Sequence, residues 1–286
     1  MTDERRAIVT GASGYLGSRV AAALERNGWR VERLVRSPAA DRPTERLFRL
    51  GDPVDGDLAA DLLVHAAYDF TVHRRADIWR VNVDGTSSLL EAARAAGVGR
   101  IVVLSTMSAY RGTGQLYGRA KLAIEEITAA SGGVAVRPGL VYGPRAGGML
   151  GALQRAMRLP VVPLVAPSAR QFPVHEDDLV AAIVAIATAE RLPPGPIGIA
   201  QPTPVTFREI LATIASDQGL HPRYVRVPWQ LVYLAMRSAE TVGLRLQFRA
   251  DSLLGLVRPA PSVPQPEALA ALGVRLRDFG PGAMAG

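Results

Sequence analysis

Tyr117-Gly118-Arg119-Ala120-Lys121 sets a phenol and an ammonium four residues apart, in a stretch at 116–130 whose composition predicts a helix. Residues i and i+4 share one helical face, so both groups point into the same space. A tyrosine with its ordinary pKa of about 10 is a poor proton donor or acceptor near neutrality. A close ammonium favours the phenolate and is expected to lower that pKa toward the working range. Such a pair is general acid–base machinery. Of 33 basic residues, 32 are arginine and Lys121 is the one lysine. A compact ammonium can tune a phenol and hydrogen-bond sugar hydroxyls, two tasks that suit a planar guanidinium poorly. The plainer alternative is a half-buried helix tyrosine beside a surface charge.

Near the start of the chain, Thr10-Gly11-Ala12-Ser13-Gly14-Tyr15-Leu16-Gly17 follows a short apolar run, Ala7–Thr10, and opens a helical stretch. Gly11 permits a tight turn, Gly14 lets backbone approach a pyrophosphate, and Gly17 lets helix and strand pack. The helix N-terminus around Ser13, Tyr15 and Leu16 adds N–H donors and a positive dipole end. Between strand and helix, this turn predicts a dinucleotide site. At the end of the second strand an acid would accept from the 2′-hydroxyl of NAD, whereas an arginine would pair with the 2′-phosphate of NADP. That place holds Val35 followed by Arg36, so NADP(H) is expected over NAD(H). Asp52, after the third strand, is a candidate acceptor from the adenine amino group, or an ordinary turn aspartate.

Together, the Thr-Gly-x-x-Gly-x-x-Gly turn and Tyr-x-x-x-Lys resemble the short-chain dehydrogenase/reductase superfamily. Five further stretches resemble its extended branch, the NAD-dependent epimerase/dehydratase family. These are Val64-His65-Ala66-Ala67, Asn82–Ala93, Leu104–Tyr110, Arg137–Pro144 and Val174–Leu179, all in the family's order. The resemblance implies that Tyr117 exchanges a proton with a substrate oxygen while hydride moves at the nicotinamide. Lys121 would hold the ribose, and Thr106 would hydrogen-bond the reacting oxygen. Ser105 and Ser108 are lesser candidates for that last role. Asn82 would anchor the active-site helix or a relay water, or simply cap a helix. Ala66, Ala67 and Pro138 would line the cofactor. Asp178 is read as a helix cap, and His65 and His175 as structural histidines; no metal constellation stands out. Met107, Ser108 and Arg145 are candidate substrate contacts.

Positioning these groups requires a sheet. Short apolar runs at 7–10, 31–35, 47–50, 62–66, 101–104 and 134–136 alternate with helical stretches such as 18–27, 77–96 and 116–130. Continuous apolar strands between helices predict an α/β fold, a Rossmann-type doubly wound parallel sheet. Residues 1–145, with returning segments from about 160–200, are expected to form it. Prolines then crowd the chain, and a smaller, mostly helical substrate lobe is expected over about 146–286.

The 286 residues are 48% hydrophobic and 21% charged, so disorder is not expected. Absence of cysteine excludes thiol catalysis, disulfides and Cys-ligated zinc. The net charge of +7 is spread over both halves without a run, so no nucleic-acid partner is expected. An acidic N-terminus and short apolar runs predict a cytoplasmic protein with no membrane partner. A homodimer through the helices at 77–96 and 116–130 follows from the resemblance.

Functionally, the reading is an NADP-dependent oxidoreductase moving hydride to or from a carbonyl or alcohol carbon of a small molecule. A nucleotide-sugar epimerase with tightly held cofactor is the alternative, and a non-catalytic dinucleotide sensor a further one. No acid follows Thr106, which disfavours dehydration, and the segment from Thr106 to Tyr117 is short for the family.

Overall fold

A computed structural model describes residues 5–284 except 55, 146, 243 and 245–248. Residues 1–4, which carry part of the N-terminal argument, lie outside the described residues. The chain runs β1 (Arg6–Thr10), α1 (Tyr15–Arg26), β2 (Arg30–Val35), β3 (Glu45–Leu47), β4 (Leu62–His65) and α2 (Arg75–Ile78). A π-helical turn (Trp79–Asp84) leads into α3 (Gly85–Ala95), β5 (Arg100–Leu104), α4 (Leu116–Ala130) and β6 (Val134–Pro138). Then come β7 (Leu140–Tyr142), α5 (Gly148–Ala156), β8 (Val161–Leu164), β9 (Arg170–Gln171), β10 (Pro173–His175) and α6 (Glu176–Thr188). The chain continues with β11 (Ile197–Ile199), β12 (Val205–Thr206), α7 (Phe207–Asp217), β13 (Arg223–Arg226), α8 (Trp229–Thr241), α9 (Ala250–Val257) and α10 (Glu267–Ala271).

Seven strands form one parallel sheet in the order β11-β6-β5-β4-β1-β2-β3. This is the Rossmann-type α/β architecture expected from the alternation of apolar runs and helices. Successive strand side chains take opposite faces, and both faces are dry. Ala7, Val9, Val64 and Val102 pack with α1 and α6 on one side. Ile8, Leu63, Ile101 and Val103 pack with α3 and α4 on the other. A third cluster joins Tyr142, Leu150, Phe207, Ile210, Ile214, Leu253 and Leu256 into the core of the C-terminal lobe.

Three local expectations are corrected. The third strand occupies Glu45–Leu47 rather than 47–50, because it pairs on one side only and its last bond to β2 is from Phe48 N to Val35 O at 2.8 Å. The helix expected over 77–96 is interrupted by the π-helical turn, where the buried Asn82 side chain bonds Asp69 backbone instead of capping a helix. Asp178 does not cap α6. His175 does, its Nδ1 accepting from Asp177 N at 3.2 Å, while Asp178 accepts from Arg277 N at 2.7 Å and Arg277 Nε at 2.8 Å.

Two glycines of the turn after β1 have no substitute. Gly11 adopts φ +65°, and a Cβ there would stand 2.9 Å from Ala67 backbone. A Cβ on Gly17 would overlap the Gly11 carbonyl. Gly17→Ala is therefore expected to cost about 2–3 kcal/mol in urea unfolding. Gly99→Ala, where a Cβ meets nothing within 4 Å, is expected to change it by less than about 1 kcal/mol.

Candidate active site

The singled-out groups other than Arg36, Asp52, Arg145, His175 and Asp178 fall at or near the C-terminal ends of β1, β4, β5 and β6 or on the helices that follow, where ligands of open α/β sheets bind. A groove of about 430 Å³ opens there. Gly11, Ser13, Gly14, Arg36, Asp52, Ala66 and Ala67 line it, bringing together residues from four separate segments. Arg49 and the apolar trio Phe48, Leu50 and Val81 also line it, and sequence reasoning did not single them out. Their signal is weak: three lie just beyond a three-residue edge strand. Tyr15 and Leu16 begin α1 below the groove, and the Tyr15 hydroxyl donates to Glu176. Burial and that carboxylate push the Tyr15 phenol well above its usual range.

Beneath the groove lies a fully bonded polar chain. The Thr10 hydroxyl accepts from Ala67 N at 3.2 Å and lies 2.7 Å from His65 Nδ1, to which it donates because the single proton of the neutral imidazole is needed on Nε2. His65 Nε2 then donates to Thr86 Oγ1 at 3.0 Å, and Thr86 donates to Asn82 O at 2.6 Å. Burial holds His65 neutral, its pKa lowered to about 3. Asn82 grips the next segment from both sides, accepting from Asp69 N at 2.6 Å and donating to Asp69 O at 3.2 Å. Its role here is to fix the loop after β4.

That loop carries two rings against the key phenol. Tyr68 meets Tyr117 edge-on at 5.0 Å, and Phe70 lies 5.6 Å from it. The Thr106 hydroxyl stands next to the Tyr117 phenol, close enough to favour its ionised form. The expected lowering of the tyrosine pKa does not occur. Burial raises it to about 12, with the Thr106 hydroxyl pulling the other way. Lys121 is itself buried and pushed down to about 7, with the Glu125 carboxylate pulling it up. Lys121 Nζ donates to Leu104 O at 2.6 Å and sits 4.9 Å over the Tyr68 ring. Desolvation outweighs the benefit of the shared helical face.

Glu125, one turn beyond Lys121, accepts two bonds from Arg137, at 2.8 and 2.6 Å, and one from the Ser105 hydroxyl. Ser105 is thus structural rather than a candidate for the reacting oxygen. At the other end of α4, Asp251 accepts from Leu116 N at 3.1 Å and Tyr117 N at 3.2 Å. Pro138 O accepts from Met107 N at 3.1 Å, holding the end of β6 beside Thr106. Met107 is buried with Phe172, Ala200, Ala260 and Val263, Ser108 is half-buried, and Arg145 is exposed after β7.

A glycine turn against a helix N-terminus, a groove across the sheet's C-terminal edge and a Thr–Tyr–Lys cluster beside it define a dinucleotide-dependent enzyme site. The family model "NAD dependent epimerase/dehydratase family" matches residues 7–200, and the chain belongs to that family. It is an NAD(P)-dependent oxidoreductase. A ceramide reductase of Caulobacter vibrioides is 32% identical over 241 residues, 79% of this chain and 75% of its own. A 4-hydroxy-2-methyl-3-oxo-4-farnesyl-3,4-dihydroquinoline-1-oxide ketoreductase of Stigmatella aurantiaca is 28% identical, covering 87% of this chain and 84% of its own. Three mycobacterial relatives are longer, and the chain spans 23% of their length. Among solved structures, a Thermus thermophilus UDP-glucose 4-epimerase in complex with NAD superposes with TM-score 0.70 at 22% identity, covering 96% and 95% of the two chains.

Because Glu125 ties two strand ends to α4, Glu125→Ala should lower unfolding free energy by about 3–5 kcal/mol, the cost of leaving a buried partner uncompensated. A loss below about 1 kcal/mol in denaturant titration would show that the carboxylate is dispensable.

Proposed function

We propose that the chain is an NADPH-dependent reductase of a ketone on an apolar small molecule. The observation that carries this reading is the Thr106–Tyr117 hydroxyl pair, walled by Tyr68 and Phe70, beside the glycine-lined groove. Two relatives reduce substrates whose names, a ceramide and a farnesyl quinoline, describe largely apolar molecules.

The residues present suit the dinucleotide. Backbone at Gly11 and Gly14 leaves room that a Cβ would fill, at 2.9 and 3.1 Å from neighbouring backbone. Arg36 and Arg49 line the groove, and the position suited to a ribose-binding acid holds Val35. Two guanidiniums there favour a 2′-phosphate over a free hydroxyl. Asp52 supplies an acceptor for an amino group. When bound, the cofactor supplies hydride to the carbonyl carbon. Thr106 and Tyr117 then hold the carbonyl oxygen, and Tyr117 gives its proton as the alkoxide forms, so ketone, hydride and proton become a secondary alcohol. Lys121 holds ribose hydroxyls and offsets the charge left on Tyr117.

An epimerase would retain its cofactor through purification and consume none, whereas a reductase shows stoichiometric NADPH oxidation. Screening hydrophobic ketones by absorbance of NADPH tests the reading directly. In that assay Tyr117→Phe is expected to lower kcat by about 10²–10⁴-fold with little change in NADPH affinity. Arg36→Ala should weaken NADPH at least about tenfold and leave NADH nearly unchanged; equal losses would overturn the NADP preference.

A pH profile addresses Lys121. Its proton is lost as pH rises through about 7, so kcat/KM for the cofactor should be highest below that value and decline above it. Lys121→Met should flatten the decline. A wild-type profile level from pH 6 to 9 would be the contrary result.

A further inference from the structure

Helix α8 is apolar on two sides. Trp229, Val232, Tyr233 and Met236 pack against the lobe core. Leu231, Leu234, Ala235 and Ser238, with Val242 just past the helix end, recur at helical spacing and share an arc of about 100° facing away from it. Leu231, Leu234 and Val242 are 60%, 64% and 75% exposed, and Leu244 beyond them is 60% exposed. A surface helix of a freely dissolved protein carries polar and charged residues on that side.

The surroundings are positively charged. The described residues of 219–258 include five arginines and two acids. Both acids are engaged within the fold: Glu240 accepts from Ala250 N at 2.8 Å, and Asp251 from the first amides of α4. Arg223 and Arg226 are exposed on β13, which leads into α8 and also exposes Tyr224 and Val225. The same elements reach the reactive phenol. Glu240 joins α8 to α9, Asp251 of α9 holds the backbone of Tyr117, and Arg249 reaches Phe70 O at 3.5 Å. Phe70, 56% exposed, is in ring contact with Tyr117.

We propose that α8 and β13 form a docking surface for an anionic phospholipid bilayer. The helix lies along the interface with its Leu231–Val242 stripe at the acyl boundary and the neighbouring arginines among the headgroups. Such docking stands against the sequence-based expectation of no membrane partner. Among the described residues no helix is long and apolar enough to cross a bilayer, so the contact is one-sided. Charge selects this occupant: an arginine surplus around an apolar stripe repels a second copy of the same face and complements an acidic lipid surface. The docking rests on the surface alone; its consequence, delivery of a lipid-like ketone past Phe70 to Tyr117, rests on the function proposed above.

Flotation of the full chain with vesicles tests the docking without turnover. Vesicles of phosphatidylcholine with about one third phosphatidylserine are expected to carry at least about tenfold more protein than pure phosphatidylcholine, and added salt to reverse the excess. Leu231→Glu with Leu234→Glu should abolish flotation while melting temperature and NADPH binding stay unchanged. The proposal fails if wild type floats equally poorly with both vesicles. It fails equally if light scattering finds a wild-type dimer that this double variant converts to monomer, since the stripe is then an interface between copies.

Discussion

The buried carboxylate of Glu125 is the constraint on which the proposed reaction geometry depends. It sits on α4 yet bonds Ser105 at the end of β5 and Arg137 on β6, so one side chain fixes the catalytic helix against two adjacent strands. A single ionised carboxylate in that place would be costly, and the two-point guanidinium contact with a hydroxyl offsets the lost hydration. The same charge acts on Lys121 one turn away, opposing the burial that would otherwise leave an uncharged amine. Packing of the helix and protonation of the lysine are thus one electrostatic problem with one solution.

The other end of α4 is held from a distance. Its first amides, which a local serine or aspartate would ordinarily satisfy, bond to Asp251 on α9. Gln115 Nε2 donates to Asp251 O at 2.7 Å, and Tyr110 donates to Arg258 O at 2.9 Å, so the segment entering α4 is attached to the C-terminal lobe throughout. The C-terminal lobe therefore does more than enclose its own core. It holds the first turn of α4, where Tyr117 sits, through the Leu116 and Tyr117 amides.

What could be read from sequence follows from how local each determinant is. The apolar runs of β1, β4 and β5, buried on both faces, identify themselves, and the turn at Gly11–Gly17 and the pair Tyr117–Lys121 are spacings within a single turn or helix. The third strand was misplaced because an edge strand of three residues carries almost no pattern. Asn82 carried a helix pattern that cannot reveal a π-helical turn, since the cause is the backbone of Asp69, thirteen residues earlier. Asp251 and Phe70 escaped because their partners are remote in the chain, and Arg49 because it lies just beyond a three-residue edge strand. The lowered tyrosine was inferred from a shared helical face, which fixes direction but says nothing of desolvation.

That last discrepancy bears on the direction of the reaction. Burial acts on both titrating groups of the cluster in the same sense, toward the uncharged form: Tyr117 rises to about 12 and Lys121 falls to about 7. At neutral pH the phenol therefore carries its proton. In the proposed reaction a ketone to be reduced needs a proton donor beside its oxygen, and Tyr117 with Thr106 would be in that state before substrate arrives. An alcohol to be oxidised needs a proton acceptor, which would require phenolate in an apolar setting framed by Tyr68 and Phe70. Within the function proposed above, the burial that raises the Tyr117 phenol therefore suits the reductive direction.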